Sequence, residues 1–410
     1  MRQSYLCISN SSRLCDSELW RFLRTLCKLV VVPALIALAF VELLAWRTGA
    51  TVAASVATVA QWQHDDPNIV WSGPGQLYGP LALARAKIEH PDILMIGHSR
   101  CGQMRSMMFK PYKFHNACVV AWTLGQIKNM IDLATRKNGP TTIIFVLDYF
   151  MLGDAYAKEW EGKAFMDFSP PRRSHLDGLL DMALMFKKRP AQMISAMPSY
   201  LIHHVDKRDD GSELFGPYAI ALQAGFRSDG SLLYDPTTRA QASANNKDLS
   251  RILAAVPNGD GVRPGSAQLR ALREIGDLGK QRNLTLIGIQ LPIIQGAINV
   301  LDSDKDWNGY RSADRGNWRL LESHLMRQQL RDIGIHFFNL THDLIAKDSL
   351  AFIDPAHPSE YGMGVVLLDA MNGDPEFRAL LPRLDLAALQ VDLAKAKAEQ
   401  QYFDVYGSHF

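Results

Sequence analysis

"ILMIGHSRCG", residues 93–102, decides how the chain is read. Four apolar residues in a row, with no alternation, fit a strand buried on both faces. The run ends in Gly97-His98-Ser99, where the chain must turn. A serine at the carboxyl end of a buried strand is either a positioned nucleophile or an ordinary turn residue. A serine hydroxyl becomes a useful nucleophile only when a base takes its proton and a third group orients that base. The reading therefore depends on finding a histidine and an acid that the fold can bring to Ser99.

Similar runs recur along the chain. Strands are expected at 92–97, 117–121, 141–147, 284–291 and 335–339, and helices at 123–137, 266–282, 314–333 and 359–372. Continuous apolar strands separated by helices predict a mostly parallel sheet covered on both faces. More than 130 residues separate the third strand from the fourth, too many for a simple crossover. We read about 155–265 as a large helical insertion that includes a turn-rich segment, "GFRSDGSLLYDP" at 225–236. Residues 375–410 form a helical tail with alternating charge.

The N-terminus carries "LVVVPALIALAFVELLAW", residues 29–46, with Glu42 as its single charge. As a helix it would reach roughly 27 Å, close to the hydrocarbon thickness of a bilayer. A cleaved signal peptide is the alternative, but 28 residues are long for the basic region before it, and no small-x-small cleavage site follows. We expect an uncleaved anchor. Arg2, Arg13, Arg21, Arg24 and Lys28 precede it and Arg47 follows. Positive-inside logic leaves residues 1–28 as a cytoplasmic tail, and puts a connector at 47–78 and a main domain at 79–374 outside, in a bacterium the periplasm.

Bulk composition sets limits on the rest. The 410 residues are 47% hydrophobic and 21% charged, enough for a large core and against global disorder. A net charge of +2 argues against a nucleic-acid surface. There is no phosphate-binding glycine loop and no Cys/His cluster with zinc spacing, so neither a cofactor nor a metal is expected. Cys101 and Cys118 fall in the outer part, where disulfides are permitted; the sequence leaves their pairing open.

The partners for Ser99 stand near the C-terminus, in "FIDPAHPSEYG", 352–362. Asp354 and His357 are three apart on a Pro-containing turn, a spacing that lets Asp354 hold one ring nitrogen while the other faces Ser99. A Gly-x-Ser-x-Gly elbow of the α/β-hydrolase type fits less well. Cys101 stands where the elbow needs a small residue, and Ser99 follows the first strand of the domain.

"DILMIGHSR" and "FIDPAHPSEYG" resemble the first and last blocks of SGNH-fold hydrolases and acyltransferases. The layout is most similar to a membrane-anchored branch that includes alginate O-acetylation proteins and D-alanyl-transfer proteins of teichoic acid. The resemblance covers roughly 90–150 and 284–372. It implies a flavodoxin-like three-layer α/β fold, a Ser99–His357–Asp354 triad, and O-acyl transfer or ester hydrolysis on an exported polysaccharide or envelope glycan. A multi-span membrane partner would supply the acyl donor.

Departures from the family pattern are specific. His98 precedes the serine where the family usually has Asp or Ser. Cys118, in "FHNACVVAW", stands near the second block's glycine, so an oxyanion donor there must be a backbone amide. Asp148 stands near the third block's asparagine, and an ionised carboxylate cannot donate. Asn116 and the amide of Ser99 are the compensating candidates. His98 is expected to pack behind the site, and Arg100 to face solvent or an anionic group. Asp148 is expected to form a turn or bind a substrate hydroxyl. Gln295 and Asn299, at a strand end, are minor pocket candidates. Trp122, Trp307, Tyr310 and Trp318 are read as core in preference to sugar platforms. These departures also make a non-catalytic glycan-binding or export-assembly module the second reading.

Overall fold

A computed structural model describes residues 11–406, other than 49, 51–55, 137–138, 164–167, 170–172, 204, 209–210, 255–262, 304–315, 342–343 and 404. The centre is a five-stranded parallel sheet of β1 (Ile93–Ile96), β2 (Phe114–Ala117), β3 (Thr142–Val146), β4 (Thr285–Gln290) and β5 (Ile335–Asn339). Its spatial order is 2-1-3-4-5, one of the two common doubly wound arrangements.

The sheet is mainly apolar because both of its faces are covered, most plainly in β1, all four of whose residues are buried; β2, Phe-His-Asn-Ala, carries two buried polar residues. In β1, Leu94 and Ile96 point to one side. They belong to one apolar cluster with residues of α3 (Tyr78–Glu89), α4 (Leu124–Ala134), α7 (Ser266–Arg282) and α8 (His324–Asp332). Ile93 and Met95 point to the other side. They belong to a second apolar cluster with α9 (Glu360–Gly373) and α10 (Leu386–Ala398), the latter through Leu389, Leu393 and Ala396. The helical C-terminal stretch therefore closes the second face of the core.

Three expectations are corrected. The second strand is Phe114–Ala117 and not 117–121; the apolar residues that follow it are buried in a turn. The helix expected at 314–333 is two helices, broken where Ser323 caps the second by accepting from the Met326 amide. Among its described residues the connector at 47–78 holds a helix, Val56–Asp65, and a strand. Its strand Ile69–Trp71 pairs with Glu213–Phe215 and Gly225–Phe226 of the insertion in a second, mixed sheet.

At the N-terminus, α1 (Ser11–Leu26), a π-helical turn at Cys27–Val31 and α2 (Val32–Arg47) run on continuously. Glu18–Arg47 is a 30-residue helix long and apolar enough to cross a membrane. The insertion contains a helical hairpin, α5 (His175–Lys188) and α6 (Pro190–His203), against which the end of α2 packs through Leu44 and Ala45.

Candidate active site

The strand order reverses between β1 and β3, and in doubly wound sheets ligands bind beyond the strand ends at such a point. Ser99 follows β1 and Asp148 follows β3. At the end of β1 the chain passes so close to its neighbours that a Cβ on Gly97 would lie 2.8 Å from both Cys101 Sγ and Val146 Cγ2. Glycine there lets the chain turn into a single 3₁₀ turn, Ser99–Cys101, with Ser99 half-buried.

His357 comes from a two-stranded antiparallel hairpin, Phe352–Asp354 with His357–Pro358, just before α9. Its Nε2 lies 2.8 Å from Ser99 Oγ. Its Nδ1 lies 2.8 and 2.9 Å from the two oxygens of Asp354. With Nδ1–H donating to Asp354, Nε2 is left to accept from the serine hydroxyl, the tautomer a general base requires. Asp354 is itself fixed by the amides of Ala356 and His357, at 2.9 and 3.0 Å. Burial pushes its carboxyl up, but the imidazole and these hydrogen bonds outweigh burial and hold it below the usual range. It therefore stays an acceptor.

Behind the triad lies a second, buried constellation. Asp148 is fully buried and accepts from His98 Nε2 at 2.8 Å and from Arg100 Nη1 at 2.5 Å. Burial would raise this carboxyl; Arg100 and His98 bring it below its ordinary range. Burial in turn keeps the His98 imidazole below its usual value, against the pull of Asp148. His98 Nδ1 accepts from the Arg100 amide, which agrees with a neutral ring. Arg100 continues outward. Nε donates to the Ala356 carbonyl at 3.0 Å, and Nη2 donates to the carbonyls of Leu291 and of Pro292, the latter at 2.9 Å. One guanidinium thus ties the Ser99 turn to the end of β3, the loop after β4 and the Asp354–His357 hairpin.

The structure corrects several expectations for this region. Arg100 does not face solvent; it is 5% exposed, the anionic group it meets is the protein's own Asp148, and its remaining donors go to backbone carbonyls. Asp148 is tied through Oδ2 to His98 and Arg100, while its Oδ1 is buried with no hydrogen-bond partner among the described residues. Asn116 is not an oxyanion donor, because its amide hydrogens go to the carbonyls of Cys101 and Met104, at 2.9 and 2.8 Å. The Cys118 amide is equally committed, donating to Asn116 Oδ1 at 2.8 Å. Cys118 is also disulfide-bonded to Cys101, with Cα atoms 5.7 Å apart. His98 packs behind the site, its ring centroid 5.6 Å from Trp122 and 5.3 Å from Phe150.

The sequence reading missed Val119. It lies in the left-handed region, φ +68°, an unusual conformation for a β-branched residue. The amides of Val120 and Ala121 both donate to the Gly97 carbonyl, which ties this turn to the start of the nucleophile loop. The amides of Val119 and Ser99 make no hydrogen bond to any described residue. Left-handed backbone usually announces itself as glycine; valine gives no such signal.

The minor candidates lie apart from this chemistry. Gln295 donates to Asn299 on an exposed helix turn, at 2.9 Å. Trp318 is core, its indole bonded to Asp302 at 2.8 Å. Trp122 stacks on Trp160 with centroids 4.2 Å apart. Trp307 and Tyr310 lie outside the described residues. Comparison with protein-family models, curated proteins and solved structures finds no match for the chain.

Proposed function

We propose that this is a serine acyl-transfer enzyme working through a covalent acyl-enzyme. The observation that carries this is the unbroken chain Ser99 Oγ–His357 Nε2, His357 Nδ1–Asp354, with both contacts at 2.8 Å. Within that class we read it as an SGNH-like O-acyltransferase or esterase, membrane-anchored and facing the periplasm, that acts on an exported polysaccharide or other envelope glycan. The resemblance of its first and last blocks, and the strand order, support this reading.

In the first half-reaction Ser99 Oγ attacks the acyl carbonyl carbon as its proton passes to His357 Nε2. The tetrahedral intermediate collapses, the donor's C–O bond breaks, and the proton goes to the leaving alcohol. In the second half-reaction a sugar hydroxyl, or water, gives its proton to His357 and attacks the acyl-enzyme, which returns Ser99 Oγ–H. The Ser99 and Val119 amides are the donors we assign to the oxyanion. A single lost donor of this kind costs on the order of 10²-fold in rate.

The anchor reading rests on Glu18–Arg47 and its basic N-terminal flank. The Cys101–Cys118 disulfide supports placement outside the cytoplasm. An acetyl donor would then reach the site through a multi-span partner. The second reading, a glycan-binding or export-assembly module, draws on the commitment of Asp148, Asn116 and Cys118 to structural bonds.

The test is to incubate the full chain, in detergent, with p-nitrophenyl acetate and an acceptor oligosaccharide. An acetylated Ser99 peptide by mass spectrometry, absent in Ser99→Ala and His357→Ala, supports the enzyme. A folded protein that binds oligosaccharide but never acylates supports the module.

A further inference from the structure

Beyond Arg47, ten large apolar side chains among the described residues are substantially exposed, and five of them lie on the α5–α6 hairpin. Leu176, Leu180 and Leu184 follow one another at i, i+4 and i+8, so they form one stripe on α5. Ile194 and Ile202 are 58% and 68% exposed on α6. Isolated exposed leucines need no explanation, but a concentrated apolar face on one supersecondary unit marks an interaction surface.

The position of the hairpin points to the occupant. Its buried side, through Met182, Met185, Met193 and Ala196, packs with Leu44 and Ala45, the point where α2 passes from exposed apolar to buried. His175, at the start of α5, lies 2.7 Å from Glu42, the one charge in the apolar stretch 29–46. Trp46 and Arg47, with the guanidinium 5.2 Å from the indole centroid, have the composition of a bilayer interface. The last two residues of α5, Lys187 and Lys188, and the linking Arg189 form a basic tip, all exposed. Apolar face, membrane-boundary height and basic tip together describe an element that lies in an interface plane.

We propose that the α5–α6 hairpin rests on the bilayer. Its leucine and isoleucine face enters the boundary between headgroups and acyl chains, and its Lys187–Arg189 tip meets anionic phospholipid headgroups. The inference rests on the reading of Glu18–Arg47 as a membrane anchor and extends it. The chain would have two attachments, one spanning and one lying flat, which together set the tilt of the domain and so the direction in which Ser99 faces.

The test uses the full chain with Cys7, Cys15 and Cys27 replaced by serine. Single cysteines at Ile36, Leu180, Ile194 and Val391 carry an environment-sensitive fluorophore, in vesicles of phosphatidylcholine and phosphatidylglycerol without other protein. Labels at 180 and 194 should be quenched about two-fold or more beyond the label at 391 by nitroxide lipids carrying the spin near the headgroup. The label at 36 should respond to a deep nitroxide. If 180 and 194 behave like 391 while 36 responds, the hairpin proposal falls and the anchor stands. If 36 does not respond, the anchor reading fails, and the proposal with it. Shielding of 180 and 194 in native membranes but not in pure lipid assigns the face to a protein partner and overturns the proposal.

Discussion

Replacing Arg100 by methionine tests how the site is held together. The guanidinium is buried and makes four contacts: Asp148 at 2.5 Å and the carbonyls of Ala356, Leu291 and Pro292. Methionine fills much of the volume but donates nothing. Asp148 is then a fully buried carboxylate held only by the neutral His98. Removing one partner from such a buried pair costs about 3–5 kcal/mol, well above the value of a surface ion pair. At about 2 °C per kcal/mol for a domain of this size, Tm should fall by roughly 6–10 °C. Activity should fall further than stability explains, because the Asp354–His357 hairpin loses its tie to the nucleophile turn. A misplacement of about 1 Å costs on the order of 10²-fold. The assay is the rate at which a fluorophosphonate labels Ser99, measured well below the variant's Tm. Arg100→Lys keeps a charge beside Asp148 but cannot span the carbonyls, so Tm should recover more than the labelling rate does. Adding Asp148→Asn to Arg100→Met should likewise restore stability but not labelling. A variant with Tm within about 2 °C of the parent and a labelling rate within about 3-fold would refute this account of Arg100.

Two further predictions concern the carboxylates. Asp354→Asn keeps the shape of the hairpin but no longer secures the Nδ1–H tautomer of His357, so labelling of Ser99 should drop on the order of 10²–10⁴-fold while near-UV circular dichroism is unchanged. Arg105 is fully buried between Asp229 and Glu360, 3.1 Å from each, and locks the insertion to α9. Burial pushes the Asp229 carboxyl up, but Arg105, the Ser231 hydroxyl and the Ser106 amide overcome it and hold the group well below its ordinary range. A depressed carboxylate contributes stability that is complete above its unfolded pKa of about 3.9 and lost as pH falls through the folded value. Arg105→Met should therefore cost about 3–5 kcal/mol at pH 7, and the gap from the parent should narrow under acid. Thermal melts across pH check it; a gap that stays constant down to acid would argue against the lock.

The parallel sheet was legible because β1, β3 and β4 are buried and read as nearly continuous apolar runs, whereas β2, Phe-His-Asn-Ala, does not. The same rule misplaced the second strand, since Val120 and Ala121 are as buried as the strand itself without belonging to it. The second sheet was not legible. Its strands are two or three residues long, too short for periodicity, and one lies in a stretch read as connector. At the site, residue type and spacing pointed to Ser99, Asp354 and His357. Arg100 was misread because a charged residue is ordinarily exposed, and the carbonyls that satisfy it lie some 190 and 256 positions away. Asn116 and Cys118 were proposed as donors from position alone; which hydrogens are already committed is a property of the fold.

The central claim is that Ser99 is an activated nucleophile. Its most direct test is to treat the full chain with a fluorophosphonate and map the modified residue by mass spectrometry. The parent should be labelled on Ser99, with labelling lost in Ser99→Ala and His357→Ala. A folded parent that stays unlabelled, or that is labelled equally well without His357, would contradict the account.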